Sequence, residues 1–559
     1  MIEGGGSVAR GLQAATPAAS VRTKPARARN QWLIAATGIL GVVMAFWCYL
    51  RLARTRAVDS DGASQALQAW DMLHGNVLLH GWWLSDVSFY TTELPQYMVV
   101  ELVRGLNPDV VHIAAAMTYT LVVLFTVLLA KGSATGRAAV VRVLIAAGLM
   151  VAPQLAGVSI LIASPDHVGT AVPVLVVFLI LDRAPRRPWV PVVVSALLFW
   201  AAFADALVLL IGVLPVALVF LMQPGSDGWA AGRRQPTRYF RTIGVGSLAA
   251  GAAAELVLPR MSAIGGFAVW PPHFEPVYRV DQLAHTLGVT GQGLLLLAGA
   301  DFLGLRPGVS TAAVFLHFTG VIVLALGVLL TARRFGRDLG YIEQILLTAV
   351  VLNVGLYAFT SAAFSIQTTR EIAAVLPFSA VLAARMLADR VLAVRFGPAV
   401  LLVVLAGYLA GFSYELAQPP APPQSYQLTS WLAAHHLDSG LSGYWESNIV
   451  TLTSDDRVRI RQLTVARGRV IRYEWESVAA WYNPRQASAN FVVLYPATSA
   501  YVGFTDRSAV VATFGPPAHT YRVGGYQVLV WRQNLLRKLP RAGLASPTVL
   551  AGSRPRAGG

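Results

Sequence analysis

The chain has 559 residues, of which 55% are hydrophobic and only 13% are charged, and its net charge is +16. Soluble domains carry about 25% charged residues, so the composition excludes an ordinary soluble protein and predicts a polytopic α-helical membrane protein. A basic excess is also typical of nucleic-acid binders, but membrane proteins collect basic residues in cytoplasmic loops beside anionic lipid. We therefore expect membrane lipid as a partner and no nucleic acid. The single cysteine, Cys48, excludes a disulfide or a cysteine-based metal site within the chain.

Eleven apolar runs follow one another along the chain, and we interpret them as about 11 transmembrane helices. The first, residues 31–50, follows a basic tail at residues 1–30 that is predicted to be disordered. No convincing cleavage site follows this run, so we interpret it as a retained signal anchor. The other runs lie at about residues 112–130, 142–162, 168–181, 189–203, 206–222, 242–258, 310–330, 342–360, 370–388 and 397–415.

The basic residues between these runs indicate the orientation of the protein. If the N-terminus is cytoplasmic, five inner connections are rich in arginine, whereas the short outer connections hold only Arg370. This alternation agrees with the positive-inside rule, although Arg51, Arg54 and Arg56 lie on the outer side and disagree with it. The abundance of Arg and Ala is typical of a bacterial genome. We therefore predict a multi-pass protein of the bacterial inner (plasma) membrane, with extracytoplasmic segments at 51–111, at 259–309 and after about 416.

The first extracytoplasmic segment carries two carboxylates, Asp59 and Asp61, just beyond the first apolar run. Helically spaced apolar residues follow them as far as Gly75, which predicts an amphipathic helix lying in the membrane interface. Asp61 has the position of a helix N-cap, so it has two interpretations, as a cap and as a functional acid. Asp59 precedes that position and is the stronger functional candidate. In the second outer segment, the short apolar piece Leu294–Ala300 is predicted to be re-entrant or interfacial.

The composition changes after the last apolar run. A proline-rich linker at 416–424 leads into residues 425–540, where charged and aromatic residues become more frequent and short β-rich runs appear. We predict a small extracytoplasmic α/β domain there, followed by a disordered tail at 541–559. The predicted strands are Val458–Val465, Asn490–Tyr495, Ala509–Phe514 and Tyr526–Trp531, with Gly524 and Gly525 in a hairpin turn.

Four short motifs fall between residues 58 and 107. They are Asp59-Ser-Asp61, the helix end Leu73-His-Gly75-Asn76, the element Thr92-Glu-Leu-Pro95-Gln-Tyr97 and the turn Leu102-Val-Arg-Gly105-Leu-Asn107. Together with the topology of residues 31–415, they resemble the first outer loop of GT-C-fold glycosyltransferases and are similar to the protein O-mannosyltransferase and aminoarabinose transferase group. That group has an adjacent Asp-Glu pair where this chain has Asp-x-Asp, so Asp59 and Asp61 both remain candidates for the catalytic aspartate.

The resemblance implies a GT-C-like enzyme that moves a hexose or pentose, with inversion, from a polyprenyl-phosphate donor to a glycan, lipid or protein acceptor on the outer face. Such a reaction needs a general base for the acceptor hydroxyl, for which Asp59 and Asp61 are the candidates. It also needs a cation for the leaving phosphate, for which Arg370 is the candidate. Weaker substrate-binding candidates, each of which also has a structural interpretation as a turn former or interfacial anchor, are Asp86, Asp166, His167, Asp205 and Trp82.

Two questions stay open on the sequence alone. No metal-ligand spacing is present, so no metal site is predicted, but a divalent cation is an alternative because some GT-C enzymes use one. The function also has two alternatives from other classes, namely a transporter or flippase for a lipid-linked saccharide and a non-catalytic membrane scaffold. Transporters tend to place ionisable groups at the midplane, whereas the acids here cluster at the outer surface, which disfavours the first alternative.

Overall fold

The computed structural model describes residues 24–151, 155–184, 187–222, 237–271, 275–303, 309–336, 339–422, 425–495 and 504–540. The two tails predicted to be disordered lie outside the described residues, except that residues 24–30 belong to the first helix. The described residues up to Met44 form one compact unit, and the described residues from Ala45 onward form another.

The part of the chain before residue 417 is almost entirely helical. Its only described strand, β1, is the two-residue segment Trp82–Trp83. The helices are α1 (Lys24–Ala53), α2 (Ser60–Leu73), α3 (Glu93–Arg104), α4 (Asp109–Lys131), α5 (Gly136–Val151), α6 (Leu155–Leu161), α7 (Ala171–Arg183), α8 (Trp189–Ala204), α9 (Leu214–Leu221), α10 (Thr237–Val257), α11 (Val280–Leu297), α12 (Val309–Arg333), α13 (Tyr341–Phe359), α14 (Val375–Ala393) and α15 (Gly397–Leu416).

Among the described residues, six helices are long and apolar enough to cross a membrane, namely α1, α4, α10, α12, α13 and α15. A seventh is added if the 3-10 segment Ile366–Ile372 and α14 form one span with a bend of 54°. The chain is therefore a helical membrane protein, as predicted, but the predicted number of 11 spans is not confirmed. The remaining apolar runs form shorter or interrupted helices. For example, Asp205 ends α8 in an extended conformation, and the next run starts as a π-helix at Leu209–Val213 before α9.

Two apolar stretches of the outer segments differ from their predictions. Leu294–Ala300 is not a separate re-entrant piece, because most of it forms the end of the 18-residue helix α11. Helix α2 does not lie on the surface, because ten of its 14 residues are buried, polar Ser64 and Gln65 included. It packs against α3 and against a helix of the C-terminal region. An exposed apolar face is found instead on α3, where Leu102 is 72% exposed and Val103 is 82% exposed.

The C-terminal region contains a mixed six-stranded sheet in the order β4-β3-β2-β6-β8-β7. Strand β2 lies in the centre and pairs in parallel with β3 and β6, and the other pairings are antiparallel. The elements are α16 (Tyr426–Ala434), β2 (Ser439–Gly443), α17 (Tyr444–Thr453), β3 (Arg459–Ala466), β4 (Arg469–Arg472), β5 (Ser477–Val478), β6 (Phe491–Leu494), α18 (Arg507–Phe514), β7 (His519–Val523) and β8 (Tyr526–Val530).

The β7–β8 hairpin turns at Gly524 and Gly525, as predicted, and both residues have the positive φ that such turns require. The predicted strand at Ala509–Phe514 is wrong, because these residues belong to α18. Asp506 is the N-cap of that helix, and its carboxylate accepts a hydrogen bond from the Ala509 N–H. An apolar run of six residues fits a strand or a buried helix equally well, and the cap decides between them here.

The C-terminal region contacts the helical part at α2. Helix α17 packs along α2, and Ser60 Oγ donates a hydrogen bond to the Tyr444 carbonyl at 2.6 Å. A second contact is made by β5, which pairs antiparallel with β1. These two contacts bring the first outer segment and the C-terminal region to the same place.

Candidate active site

Asp59 starts helix α2. Its backbone is extended, with φ −88° and ψ 171°, and its Oδ1 accepts a hydrogen bond from the Gly62 N–H at 2.8 Å. The interpretation of Asp61 as the cap is wrong, because the helix begins at Ser60 and Asp61 lies within its first turn. Both carboxylates are therefore at the positive end of the helix dipole, where negative charge is favoured.

Arg370 joins Asp61 to Asp166. Its Nη2 donates to Asp61 Oδ2 at 2.7 Å, and its Nη1 donates to Asp166 Oδ2 at 3.1 Å. Carboxylate oxygens of Asp59, Asp61 and Asp166 lie within 4.8 Å of one another. We call these three acids and Arg370 the carboxylate cluster. The sequence analysis named all four residues as candidates, and the structure brings them together.

Local structure holds each member of the cluster in place. Arg370 belongs to the 3-10 segment Ile366–Ile372, whose residues Thr368, Thr369 and Ile372 are buried and anchor the turn. Asp166 precedes α7 and accepts hydrogen bonds from Ser164 Oγ at 2.9 Å and from the Gln65 side-chain amide. The side chain of Asp166 is 2% exposed and that of Arg370 is 31% exposed. Solvent is therefore excluded from the cluster at Asp166 but reaches it at Arg370.

Crowding of the acids changes how they titrate. Burial, followed by the charges of Asp166 and Asp61, raises the pKa of Asp59 to about 7. Burial also raises the pKa of Asp166, although the Arg370 guanidinium opposes this. Asp59 therefore changes between its neutral and charged forms near neutral pH, which is the range in which a general base is most effective.

A second ion pair lies beside the cluster. His167 Nδ1 is 2.8 Å from Asp205 Oδ2, and Thr170 Oγ1 donates to the same oxygen at 2.8 Å. Burial alone would lower the pKa of His167, but the Asp205 carboxylate outweighs it and raises this pKa to about 9. At neutral pH His167 is therefore a second cation next to Asp166. Asp86 is close enough to feel the His167 charge, and burial raises the pKa of Asp86.

Trp82 does not belong to this site. Its side chain is 3% exposed, its Nε1 donates to Asp71 Oδ2 at 2.7 Å, and its ring packs edge-on against Trp481. An indole covered in this way has no free face for a sugar. The prediction of Trp82 as a substrate-binding residue is therefore wrong, and the ring instead packs between the helical part and the C-terminal region.

The sequence analysis missed two residues that contact the cluster from the C-terminal region. Tyr444 OH lies 2.5 Å from Asp61 Oδ1 and 2.5 Å from Glu476 Oε2, and Glu476 is 3% exposed. Neither residue belongs to a motif or has a spacing that relates it to Asp61, more than 380 residues away in the case of Tyr444. Only the docking of α17 on α2 brings them together, so no sequence signal could have identified them.

The three carboxylates suit a divalent cation. Mg²⁺ and Ca²⁺ prefer oxygen ligands, and carboxylates most of all. Within the described residues, Asp59, Asp61 and Asp166 form the only group of three acidic, histidine or cysteine side chains close enough to share one ion. Their charges exceed that of Arg370, so the cluster is short of positive charge. The donor set therefore fits a hard cation.

Comparison with known proteins adds little to this description. No family model matches the chain, and no curated protein matches it by sequence. Among solved structures, the crystal structure of the Archaeoglobus fulgidus oligosaccharyltransferase in complex with Zn and sulfate aligns with a TM-score of 0.41 and 14% identity, over 81% of this chain and 67% of that one. A likeness this distant assigns neither fold nor activity. The candidate site is therefore defined by its own geometry.

Proposed function

We propose that this protein is a membrane glycosyltransferase. It moves a sugar from a polyprenyl-phosphate donor to a hydroxyl of a glycan, lipid or protein acceptor at the outer face of the bacterial inner membrane. The observation that carries the proposal is the carboxylate cluster, which combines a base of suitable pKa with a cation next to the outer end of the first span. A lipid-linked donor has its phosphate at the membrane surface, and residues that directly follow a span are expected to lie there too, so both groups would be within its reach.

Asp59 is the general base in this proposal. The acceptor hydroxyl gives its proton to the Asp59 carboxylate while its oxygen attacks the anomeric carbon. The bond from that carbon to the phosphate oxygen breaks, and the bonding electrons leave with the polyprenyl phosphate. The attack inverts the anomeric centre. Asp61 is the weaker candidate for the base, because Arg370 and Tyr444 already contact its oxygens.

Arg370 stabilises the leaving phosphate. Its two contacts with Asp61 and Asp166 use only part of the N–H donors of a guanidinium, and its side chain is partly exposed. The remaining donors are available for phosphate oxygens, which planar guanidinium groups bind well. His167 adds a second positive charge behind Asp166, so the charge that develops on the phosphate faces two cations.

A divalent cation held by Asp59, Asp61 and Asp166 is the alternative arrangement of the same site. Such an ion would neutralise the acids and attract the phosphate of the donor. The two arrangements differ in the role of Asp59, because a metal-bound carboxylate is not free to accept a proton. Chelation separates them: transfer that survives exhaustive EDTA treatment supports Asp59 as the base, and transfer that returns only with added Mg²⁺ or Mn²⁺ supports the cation.

The test uses purified protein in sealed liposomes with radiolabelled polyprenyl-phosphate mannose or arabinose. A transferase releases polyprenyl phosphate and labels a hydroxyl acceptor. A flippase moves the intact donor between leaflets without breaking the sugar–phosphate bond, and a scaffold does neither. Bond cleavage by the wild type therefore supports the proposal, whereas movement of intact donor, or no change in it, contradicts the proposal.

A further inference from the structure

Tyr444 joins two carboxyl groups through one hydroxyl. Its oxygen lies 2.5 Å from Asp61 Oδ1 and 2.5 Å from Glu476 Oε2. Both distances lie within the range for O–H···O hydrogen bonds. Both contacts are therefore hydrogen bonds, and each needs a proton between its two oxygens.

Counting protons shows that one of the two carboxyl groups is protonated. A tyrosine hydroxyl has a single proton to donate, and its oxygen can accept a second hydrogen bond. If Tyr444 donates to Asp61, its contact with Glu476 requires a proton on Glu476. If it donates to Glu476, the proton must be on Asp61. Two ionised carboxylates would leave one of the two short contacts without a proton.

The positions of the cations decide which group holds the proton. Arg370 Nη2 donates to Asp61 Oδ2 at 2.7 Å, so Asp61 has a cation in direct contact. No ion pair joins Glu476 to a basic residue in the described part of the chain. Glu476 is buried and faces the negative charges of Asp61 and Asp166, both of which raise its pKa further after burial itself. The proton therefore belongs on Glu476.

The backbone at Glu476 also points to a specific role. Its φ of 49° lies in the left-handed region, which a residue with a Cβ adopts only when the surrounding structure requires it. The residue immediately precedes β5, which pairs with β1 of the first outer segment, and Gln462 Nε2 holds its carbonyl at 3.3 Å. The strained conformation directs a carboxyl group of the C-terminal region towards α2.

We infer that Glu476 is a neutral carboxylic acid that donates a hydrogen bond to Tyr444, which in turn donates to the Asp61 carboxylate. Glu476 is thus a positioning residue. It fixes the Asp61 oxygens, Asp61 fixes Arg370, and the C-terminal region becomes a necessary part of the active site. This inference deepens the proposed function and, for its effect on transfer, rests on it.

The inference predicts how the site responds to pH. The groups that face Glu476 are Asp61 and Ser64 of α2, Asp166 before α7, Tyr444 of α17 and Tyr473 after β4. The cation at this place, Arg370, is in contact with Asp61 and Asp166, so ionisation of Glu476 places a third negative charge beside these two acids. A carboxyl group with a raised pKa contributes its stabilisation at low pH and loses it as pH rises through that pKa. The alignment of Asp61 is therefore lost at alkaline pH.

Infrared spectroscopy of the full-length protein in liposomes tests the position of the proton without any substrate. We expect a protonated-carboxyl C=O band at neutral pH that is absent from Glu476→Gln and shifts to higher frequency in Tyr444→Phe, which removes its hydrogen-bond partner. Glu101 of α3 is the matched control. Its carboxyl oxygens have no hydrogen-bond partner within the described chain, and burial raises its pKa to about 9.

Glu101→Gln should remove a different band, which Tyr444→Phe leaves in place. If wild type and Glu476→Gln have the same spectrum in the protonated-carboxyl region, Glu476 is ionised and the inference is wrong. If Glu476→Gln does not fold, the shift in Tyr444→Phe decides the question, and an unshifted spectrum overturns the inference. These outcomes do not depend on whether the protein transfers a sugar.

Transfer activity tests the positioning role. Loss of a hydrogen bond to a charged group corresponds to about a tenfold to hundredfold effect, so Glu476→Ala and Tyr444→Phe should lower kcat by about that factor with little change in KM. The amide of Glu476→Gln can donate to Tyr444 as the neutral acid does, so it should recover most of the loss and remove the alkaline decline. An equal loss in Glu476→Gln and Glu476→Ala, with the alkaline decline unchanged, would contradict the role.

Discussion

Asp59 and Asp61 have different surroundings although a single residue separates them. Asp59 caps α2 and forms no ion pair within the described residues, whereas Asp61 is bound by Arg370 and Tyr444. The sequence predicted that both acids, together with Arg370, belong to one site, because the acids follow the first apolar run on the predicted outer side and Arg370 is the only basic residue in its outer connection. It could not predict which acid is the cap, since helix starts are uncertain by more than the two residues that decide the question.

The pH dependence of transfer follows from Asp59. Its ionised form accepts the proton, and its pKa is raised to about 7, so kcat/KM should fall tenfold for each unit of pH below about 7. Asp59→Asn should remove this decline of kcat/KM at low pH together with most of the activity. The measurement is the pH profile of kcat/KM in liposomes. A decline centred near pH 4, the ordinary range for an aspartate, would contradict the raised pKa of Asp59.

Removal of Arg370 should destabilise the folded protein. Arg370→Ala leaves Asp61 and the buried Asp166 without their counter-charge, and breaking a buried pair in this way costs about 3 kcal/mol. The loss should be smaller at pH 5, where more of the acids are neutral. Thermal unfolding in detergent measures this loss of stability. The control is Arg279→Ala, which breaks the exposed Arg279–Asp281 pair and should leave the stability almost unchanged, because exposed ion pairs contribute little. Equal effects of the two substitutions would contradict the structure.

Helix α2 shows the limit of periodicity as a guide to burial. Its apolar stripe was correctly recognised as helical, but the same stripe fits a helix in the membrane interface and a helix covered by α17. Interfacial placement was predicted because no signal in the sequence relates residues 60–73 to residues 444–453. The helix α3, by contrast, exposes Val99, Leu102 and Val103. The main errors in predicting the elements therefore come from contacts between segments that are distant in the sequence. The prediction that Trp82 binds substrate is one of them.

The start of α2 depends on Gly62. A Cβ there would lie 2.7 Å from Val111 Cγ1 and 3.0 Å from Asp59 Oδ1, so Gly62→Ala should displace the cap and destabilise the protein by about 1–3 kcal/mol, as overpacking does. Transfer activity should fall as well. Gly288→Ala is the control, because a Cβ at Gly288 of α11 meets nothing within 4 Å. That variant should be as stable as the wild type or more stable by about 0.5–1 kcal/mol. An equal melting temperature for Gly62→Ala and the wild type would exclude the close packing at this cap.

At the scale of the whole molecule, the sequence predicted the membrane class and the C-terminal sheet region, because composition and hydropathy depend on no tertiary contact. The number of spans was harder to predict, because an apolar run can belong to a short or broken helix. The docking of the C-terminal region on the first outer segment was not predicted at all. It closes the site on one side and contributes Tyr444 and Glu476 to it, so both parts of the chain must lie on the same face of the membrane.

Cysteine labelling in intact cells tests this arrangement. In a Cys48→Ala background, Asp455→Cys in the C-terminal region should react with an impermeant maleimide from outside. Arg334→Cys, between α12 and α13, should react only after the cells are permeabilised. Both positions are exposed, so accessibility to the reagent depends on the side of the membrane alone. The opposite pattern would place the carboxylate cluster on the cytoplasmic face and contradict the proposed topology.

The most direct test of the central claim is single-turnover release of polyprenyl phosphate from a labelled polyprenyl-phosphate sugar, measured for the wild type, for Asp59→Asn and for the exposed control Asp455→Asn. General-base catalysis supplies about 10²–10⁴-fold, so Asp59→Asn should release product slower by that factor while Asp455→Asn equals the wild type. Release by Asp59→Asn at the wild-type rate would contradict the assignment of Asp59 as the base.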